Sequence, residues 1–186
     1  MKKKTLVLVL ALVLVAVGVV AGTLAWLTAE SDTITNTFTT SGIEVTLTET
    51  NEEYKMVPGF EIHKDPKTTV VTGSEECYLF AKLDKSANFD TFMTYEIADG
   101  WTQLTGTGVP AGVYYRKVLS ADMGTVYSVL KDDMVAVKGE VTKAMMDALT
   151  QQTYPTLAVT AYASQLYKGA GVEFTALEAW SNVSGS

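Results

Sequence analysis

Ile43-Glu44-Val45-Thr46-Leu47-Thr48 is the stretch that decides the fold. Apolar and polar side chains alternate strictly along it. A period of two places Ile43, Val45 and Leu47 on an inward face and Glu44, Thr46 and Thr48 outward, the pattern of a half-buried strand. Gly42 precedes it and Asn51-Glu52-Glu53 follows, so both ends are punctuated. The same threonine- and valine-rich spacing recurs downstream. Glu61 to Lys64 follows a turn at Pro58-Gly59, and Thr68 to Thr72 follows a bend at Asp65-Pro66. Tyr78 to Leu83, Met93 to Ile97, Val113 to Leu119, Thr125 to Leu130, Met134 to Val141 and Leu157 to Ser164 complete the series. Short strands separated by Gly, Pro, Asn and Asp turns predict an all-β fold, an antiparallel β-sandwich.

Helical signals are few, and one or two short helices are expected. Thr142 to Leu149 reads as one, with Thr142 as N-cap and Val141, Met145 and Leu149 at four-residue spacing. Phe174 to Trp180 suits a last helical turn, and Phe89 to Phe92 fits either state. No repeat or low-complexity linker interrupts the chain, so residues 42–186 read as one domain.

Working back from Ile43, residues 26–41 form a lead. Thr28 to Asp32 is polar and acidic, and Thr33 to Thr39 alternates like a strand whose large apolar residues are Ile34 and Phe38. An ordinary first strand is one reading of this lead. Residues 1–25 have the three-part pattern of a secretory signal peptide. Lys2, Lys3 and Lys4 are basic, Leu6 to Val20 is an apolar run, and Thr23-Leu24-Ala25 ends on small residues suited to cleavage between Ala25 and Trp26. Leu6 to Leu27 could also span a bilayer as an uncleaved anchor. The Ala-Gly-Thr-Leu-Ala ending and the lack of basic residues after it favour cleavage and a secreted product.

The 186-residue chain has 14 basic and 21 acidic side chains. Three of the lysines lie in the signal segment, so the 161-residue mature chain would carry a net charge of −10. That balance repels nucleic acid and anionic lipid, and the membrane enters only through the uncleaved signal segment. Cys77 is the one cysteine, which excludes an internal disulfide. It sits in the alternation Cys77, Leu79, Ala81, Leu83 and reads as a buried thiol. No cysteine follows the cleavage site to carry a lipid, and Ser181 to Ser186 has neither the apolar tail nor the basic stop of a wall anchor.

Gly22-Thr23-Leu24-Ala25-Trp26-Leu27-Thr28, then Asn36-Thr37-Phe38-Thr39, then Gly42 to Glu49, resembles the start of the TasA/camelysin family. Val57-Pro58-Gly59, Ile62, Lys64-Asp65-Pro66 and Val70 are similar to its second block. Tyr78 to Lys82 and Val159 to Ala163 fit further strands. The likeness covers residues 20–85 well and 86–156 loosely. It implies a Gram-positive protein processed by a SipW-type signal peptidase, a jelly-roll-like sandwich, and a place on the cell surface or in biofilm-matrix fibres. In such fibres the mature N-terminus of one subunit adds as a strand to the next. By position, the resemblance makes Trp26 to Thr39 the donor segment, with Trp26, Leu27, Ile34 and Phe38 as its assembly residues.

The camelysin branch is associated with metallopeptidase activity, a role the residues of this chain would have to support. Zinc hydrolysis needs about three protein ligands and a general base. His63 is the one histidine, and no His-Glu-x-x-His motif occurs. A nucleophilic triad would depend on the same His63, without a Gly-x-Ser-x-Gly elbow. The carboxylate pairs Glu30/Asp32, Glu52/Glu53, Glu75/Glu76 and Asp132/Asp133 lack a calcium-loop pattern and read as solvated charge. Trp101, Tyr114, Tyr115, Tyr154 and Tyr162 read as packing residues rather than a glycan platform. The expectation is a non-enzymatic structural protein without cofactor or metal, whose partner is itself or a related matrix protein. The alternatives are a monomeric surface-binding or adhesion module and a camelysin-like secreted metallopeptidase.

Overall fold

The computed structural model describes residues 42–51 and 53–184, together with Lys3. The chain divides into Met1–Thr39 and Thr40–Ser186, and the elements below belong to the second unit. The signal peptide, the Ala25/Trp26 cleavage point and the assembly residues Trp26, Leu27, Ile34 and Phe38 lie outside the described residues.

Cys77 to Lys85, the strand β4, organises the fold. Its backbone pairs with β10 (Leu157–Gln165) on one side and β7 (Val113–Val118) on the other, and β7 continues to the short β6 (Thr102–Gln103). This four-stranded antiparallel sheet is the first layer. The second is built from β1 (Val45–Thr48), β2 (Glu61–His63), β3 (Lys67–Val70), β5 (Met93–Ile97), β8 (Val126–Ser128) and β9 (Leu130–Val137). There β1, β3 and β8 form one sheet and β2, β9 and β5 another. Because β2 runs on into β3 and β8 into β9, the two act as one bent layer. The chain crosses between layers repeatedly, as a jelly-roll-like sandwich requires.

Alternation along β4 explains the packing. Leu79 and Cys77 face Val70, Val45 and Ala163, and Ala81 and Leu83 face Val135, Val137 and Met93. That interlayer core is what the sequence pattern anticipates. Tyr78 and Phe80, on the opposite face, are equally buried, under α3 (Ala176–Ser184). Trp180 of α3 meets Phe80 edge-on, with ring centroids 5.3 Å apart, a favoured aromatic geometry. The hairpin β11 (Tyr167–Gly169) and β12 (Val172–Glu173) leads into that helix.

Among the described residues of the second unit there are three short α-helices, where one or two are expected: α1 (Phe89–Phe92), α2 (Lys143–Asp147) and α3. In α2 the Thr142 side chain caps as anticipated, accepting from the Met145 N–H at 3.2 Å. In α3 Thr175 and Glu178 form a reciprocal capping box. The Thr175 N–H donates to Glu178 at 2.8 Å, and the Glu178 N–H donates to Thr175 Oγ1 at 3.3 Å. That Thr-x-x-Glu spacing is legible in the sequence and marks a helix longer than one turn.

Other differences have local causes. The strand expected over Met134 to Val141 begins earlier, at Leu130, and stops at Val137. A turn follows, with the Val141 N–H donating to the Lys138 carbonyl at 3.3 Å. The strands β6, β11 and β12 are too short for periodicity to reveal. Within β9, Asp132 and Asp133 adopt φ of 55° and 56°, a left-handed conformation that aspartate tolerates better than most residues. Asp133 is not simply solvated there, since its carboxylate lies 3.3 Å from Lys67 Nζ. The turn at Pro58-Gly59 forms as expected. Gly59 has φ 77°, and the Phe60 N–H donates to the Val57 carbonyl at 3.1 Å.

Candidate functional site

The outer edge of β10 is the least protected strand edge among the described residues. Its register against β4 runs without a shift from Leu157↔Lys85 to Gln165↔Cys77. At the ends of this pairing, the Leu166 N–H donates to the Glu76 carbonyl and the Ser86 N–H to the Thr156 carbonyl. Antiparallel bonding alternates by residue, so the even-numbered residues of β10 bond to β4. The N–H and C=O groups of Leu157, Val159, Ala161 and Ala163 therefore point away from it. Among the described residues no strand pairs with this edge.

Proteins ordinarily blunt such an edge with charges, proline, a bulge or brevity. The other edges show one or more of these devices, brevity above all: β1 has four residues, though it too lacks charge and proline. β2 has three residues, with Glu61 and His63 exposed, β6 has two and β8 three. β5 carries Glu96 and a register shift between Tyr95 and Ile97. β10 has nine residues, reading Leu-Ala-Val-Thr-Ala-Tyr-Ala-Ser-Gln, with no charge and no proline.

The side chains around this edge leave apolar surface open. Leu157, Val159, Ala161 and Ala163 face the interlayer space but are only half-buried. β1 approaches β10 to within 8 Å between Cα atoms without pairing to it, and Val45 and Ala163 share one cluster. The expectation that Ile43, Val45 and Leu47 all lie inward holds for direction. Leu47 sits opposite the buried Thr68, on the interlayer side, yet remains 38% exposed.

Within the bent layer, a buried carboxylate ties β1 to the segment between β2 and β3. Asp65 accepts hydrogen bonds from Thr50 Oγ1 at 2.7 Å and the Thr50 N–H at 3.0 Å, with Lys67 Nζ 3.6 Å away. The Thr50 hydroxyl and then its N–H hold the Asp65 carboxyl down at about 2, against the opposing effect of burial. Glu76 is held below the usual carboxylate range by the Ser120 N–H and hydroxyl. Neither role for Asp65 or Glu76 was legible from spacing.

The other residues weighed for chemistry are dispersed. His63 lies exposed on the short strand β2. Cys77 is fully buried, and burial pushes its thiol up to about 11. Among the described residues no group of three His, Cys, Asp or Glu side chains is placed to hold a metal ion. No helix of the described residues is long and apolar enough to cross a membrane. Trp101 packs between the layers and donates from Nε1 to the Ser128 carbonyl at 2.9 Å. Tyr114 joins the interlayer core, Tyr115 and Tyr162 pack beneath α3, and Tyr154 is 53% exposed.

No protein-family model matches the chain, and neither the curated proteins nor the solved structures contain a match to it.

Proposed function

We propose that this chain is an exported structural protein of a bacterial cell surface or biofilm matrix, whose subunits join by adding a strand to the outer edge of β10. The observation that carries this reading is the long, uncharged, proline-free edge just described. Its outward backbone groups favour pairing with another chain, and its half-buried interlayer residues offer apolar contacts to alternate side chains of an added strand. The sequence resemblance to the TasA/camelysin family supplies the donor, Trp26 to Thr39, freed at its end by signal cleavage after Ala25. Ile34 and Phe38 would be its anchors, each contributing about 1.5–3 kcal/mol on full burial.

The test is electron microscopy of the mature protein across concentration, beside two variants. A chain starting at Thr40 lacks the donor, and Ala161→Pro removes one outward N–H of the acceptor while sparing the bonds to β4. Both should stay folded and monomeric where the parent forms fibres. Fibres of unchanged morphology from either variant would overturn the reading.

A further inference from the structure

The sandwich has a second side at which a strand edge faces outward. Core contacts lay β1 against β10 and β3 against β4, and bring Tyr127 of β8 to the Val118 end of β7. One side is therefore bounded by β1 and β10, and the other by β8 with β7 and β6. Against β3, the Val129 N–H donates to the Pro66 carbonyl at 3.0 Å, and Tyr127 lies opposite Thr68. Antiparallel bonding alternates by residue, so Tyr127 bonds to β3 while the N–H and C=O groups of Val126 and Ser128 point away from it. No strand among the described residues pairs with this edge. By its backbone alone, β8 is an acceptor edge like β10, only shorter.

Side chains of the first layer cover it. Trp101, just before β6, donates from Nε1 to the Ser128 carbonyl at 2.9 Å, and so takes one of the outward groups. Arg116, the one arginine of the chain, reaches from β7 into the opening between the layers. Its guanidinium carbon lies 3.7 Å from the centre of the Tyr127 ring and 5.4 Å from that of Trp101, a favourable placing of a cation on aromatic faces. Its Nε is buried. Gly100 makes room for this stack, since its φ is 83° and a Cβ there would come within 2.8 Å of Arg116 Nη2. The interlayer side of β10 presents Leu157, Val159, Ala161 and Ala163 instead, without a charge.

A strand added to β8 would have to displace the Trp101 indole to reach the Ser128 carbonyl. Its alternate side chains would meet the guanidinium where they should enter the core. We infer, on the reading above that subunits join by adding a strand, that Trp101 and Arg116 guard the β8 edge and confine the addition to β10. Each subunit then accepts one strand. Without the indole, the Ser128 carbonyl is free to accept from another chain, and without the guanidinium the space beside Tyr127 admits that chain's side chains.

The experiment places a spin label on β8 of the full mature chain through Val126→Cys, a position 59% exposed, while the Cys77 thiol is buried and does not compete. Trp101→Phe with Arg116→Met removes both guards and keeps apolar bulk, and urea denaturation should show the pair folded. Arg116→Met alone, which leaves the Trp101 bond in place, serves if the pair does not fold. The label should become immobilised at a protein concentration at least about tenfold lower in the unguarded chain than in the guarded one. Equal mobility in the two chains would overturn the inference, as would a label already immobilised in the guarded chain. Because the label reports on β8 and Ala161→Pro on β10, the guard and the proposed assembly fail separately. Immobilisation confined to the unguarded chain upholds the guard of β8 even where Ala161→Pro leaves fibres unchanged. Fibres abolished by Ala161→Pro beside an unmoved label overturn the guard alone.

Discussion

β4 and β10 are neighbours in one sheet, each nine residues long, paired without a break. Their environments nevertheless differ. β4 has a strand on both sides and packing on both faces, and Cys77, Leu79, Phe80 and Ala81 are wholly inaccessible. β10 has one strand neighbour among the described residues, and only Ser164 of its nine residues is buried. Each strand has six apolar residues of nine, and the charged ones belong to β4, so composition would not mark β10 as the more exposed. Position in the sheet does, because a central strand has its backbone bonds satisfied on both sides whereas an edge strand keeps half of them for another partner.

Proline scanning is the strongest way to break this comparison. Leu79 opposes Arg116 and uses its N–H toward β7, so Leu79→Pro should unfold the domain. Ala161→Pro should leave the monomer's urea midpoint almost unchanged. Equal damage from both would mean that β10 is not an edge in solution. Side-chain truncation comes next in size. Phe80→Ala should cost about 3–5 kcal/mol, as expected for a buried aromatic, whereas Val159→Ala should cost about 1 kcal/mol. Urea denaturation of both variants measures the gap, and similar losses would erase the contrast.

A smaller effect sharpens the account of the second β4 face. Thr175→Ala removes the N-cap of the helix that covers Tyr78 and Phe80, and should cost about 1 kcal/mol. Hydrogen exchange should quicken in α3 before it does in β4. The narrowest prediction concerns acid. The Asp65 carboxyl is depressed to about 2, so its contribution is complete above pH about 4 and is lost as the pH falls toward 2. Amides of β1 and β3 should therefore lose protection in that window while those of β4 keep theirs. Asp65→Asn should abolish the pH-dependent part, and unchanged acid behaviour in that variant would show that another group is responsible.

Much of this architecture is legible in the chain. The alternation Cys77, Leu79, Ala81, Leu83 marks an interlayer face, and Thr142 marks a helix start. Thr175-x-x-Glu178 announces α3 in the same way, since a capping box is a purely local device. The hairpin strands β11 and β12 are not legible, because so few residues carry no period. Asp65 is not legible either, since its partner Thr50 reaches it only through the pairing of β1 with β3.

The sequence by itself determined the all-β class and most strand positions, because side-chain alternation follows from the geometry of a single extended strand. It determined too that Cys77 is buried, because the apolar period enrols it in a core face. Which strand lies at an edge was decided only by tertiary structure. The burial of Tyr78 and Phe80 on the second face of β4 was decided there as well, as was the hydrogen bond from Trp101 to Ser128 between the layers. The physical reason is the same for all three. Period and propensity act over a few residues, while sheet order and helix docking are set by contacts between segments tens of residues apart.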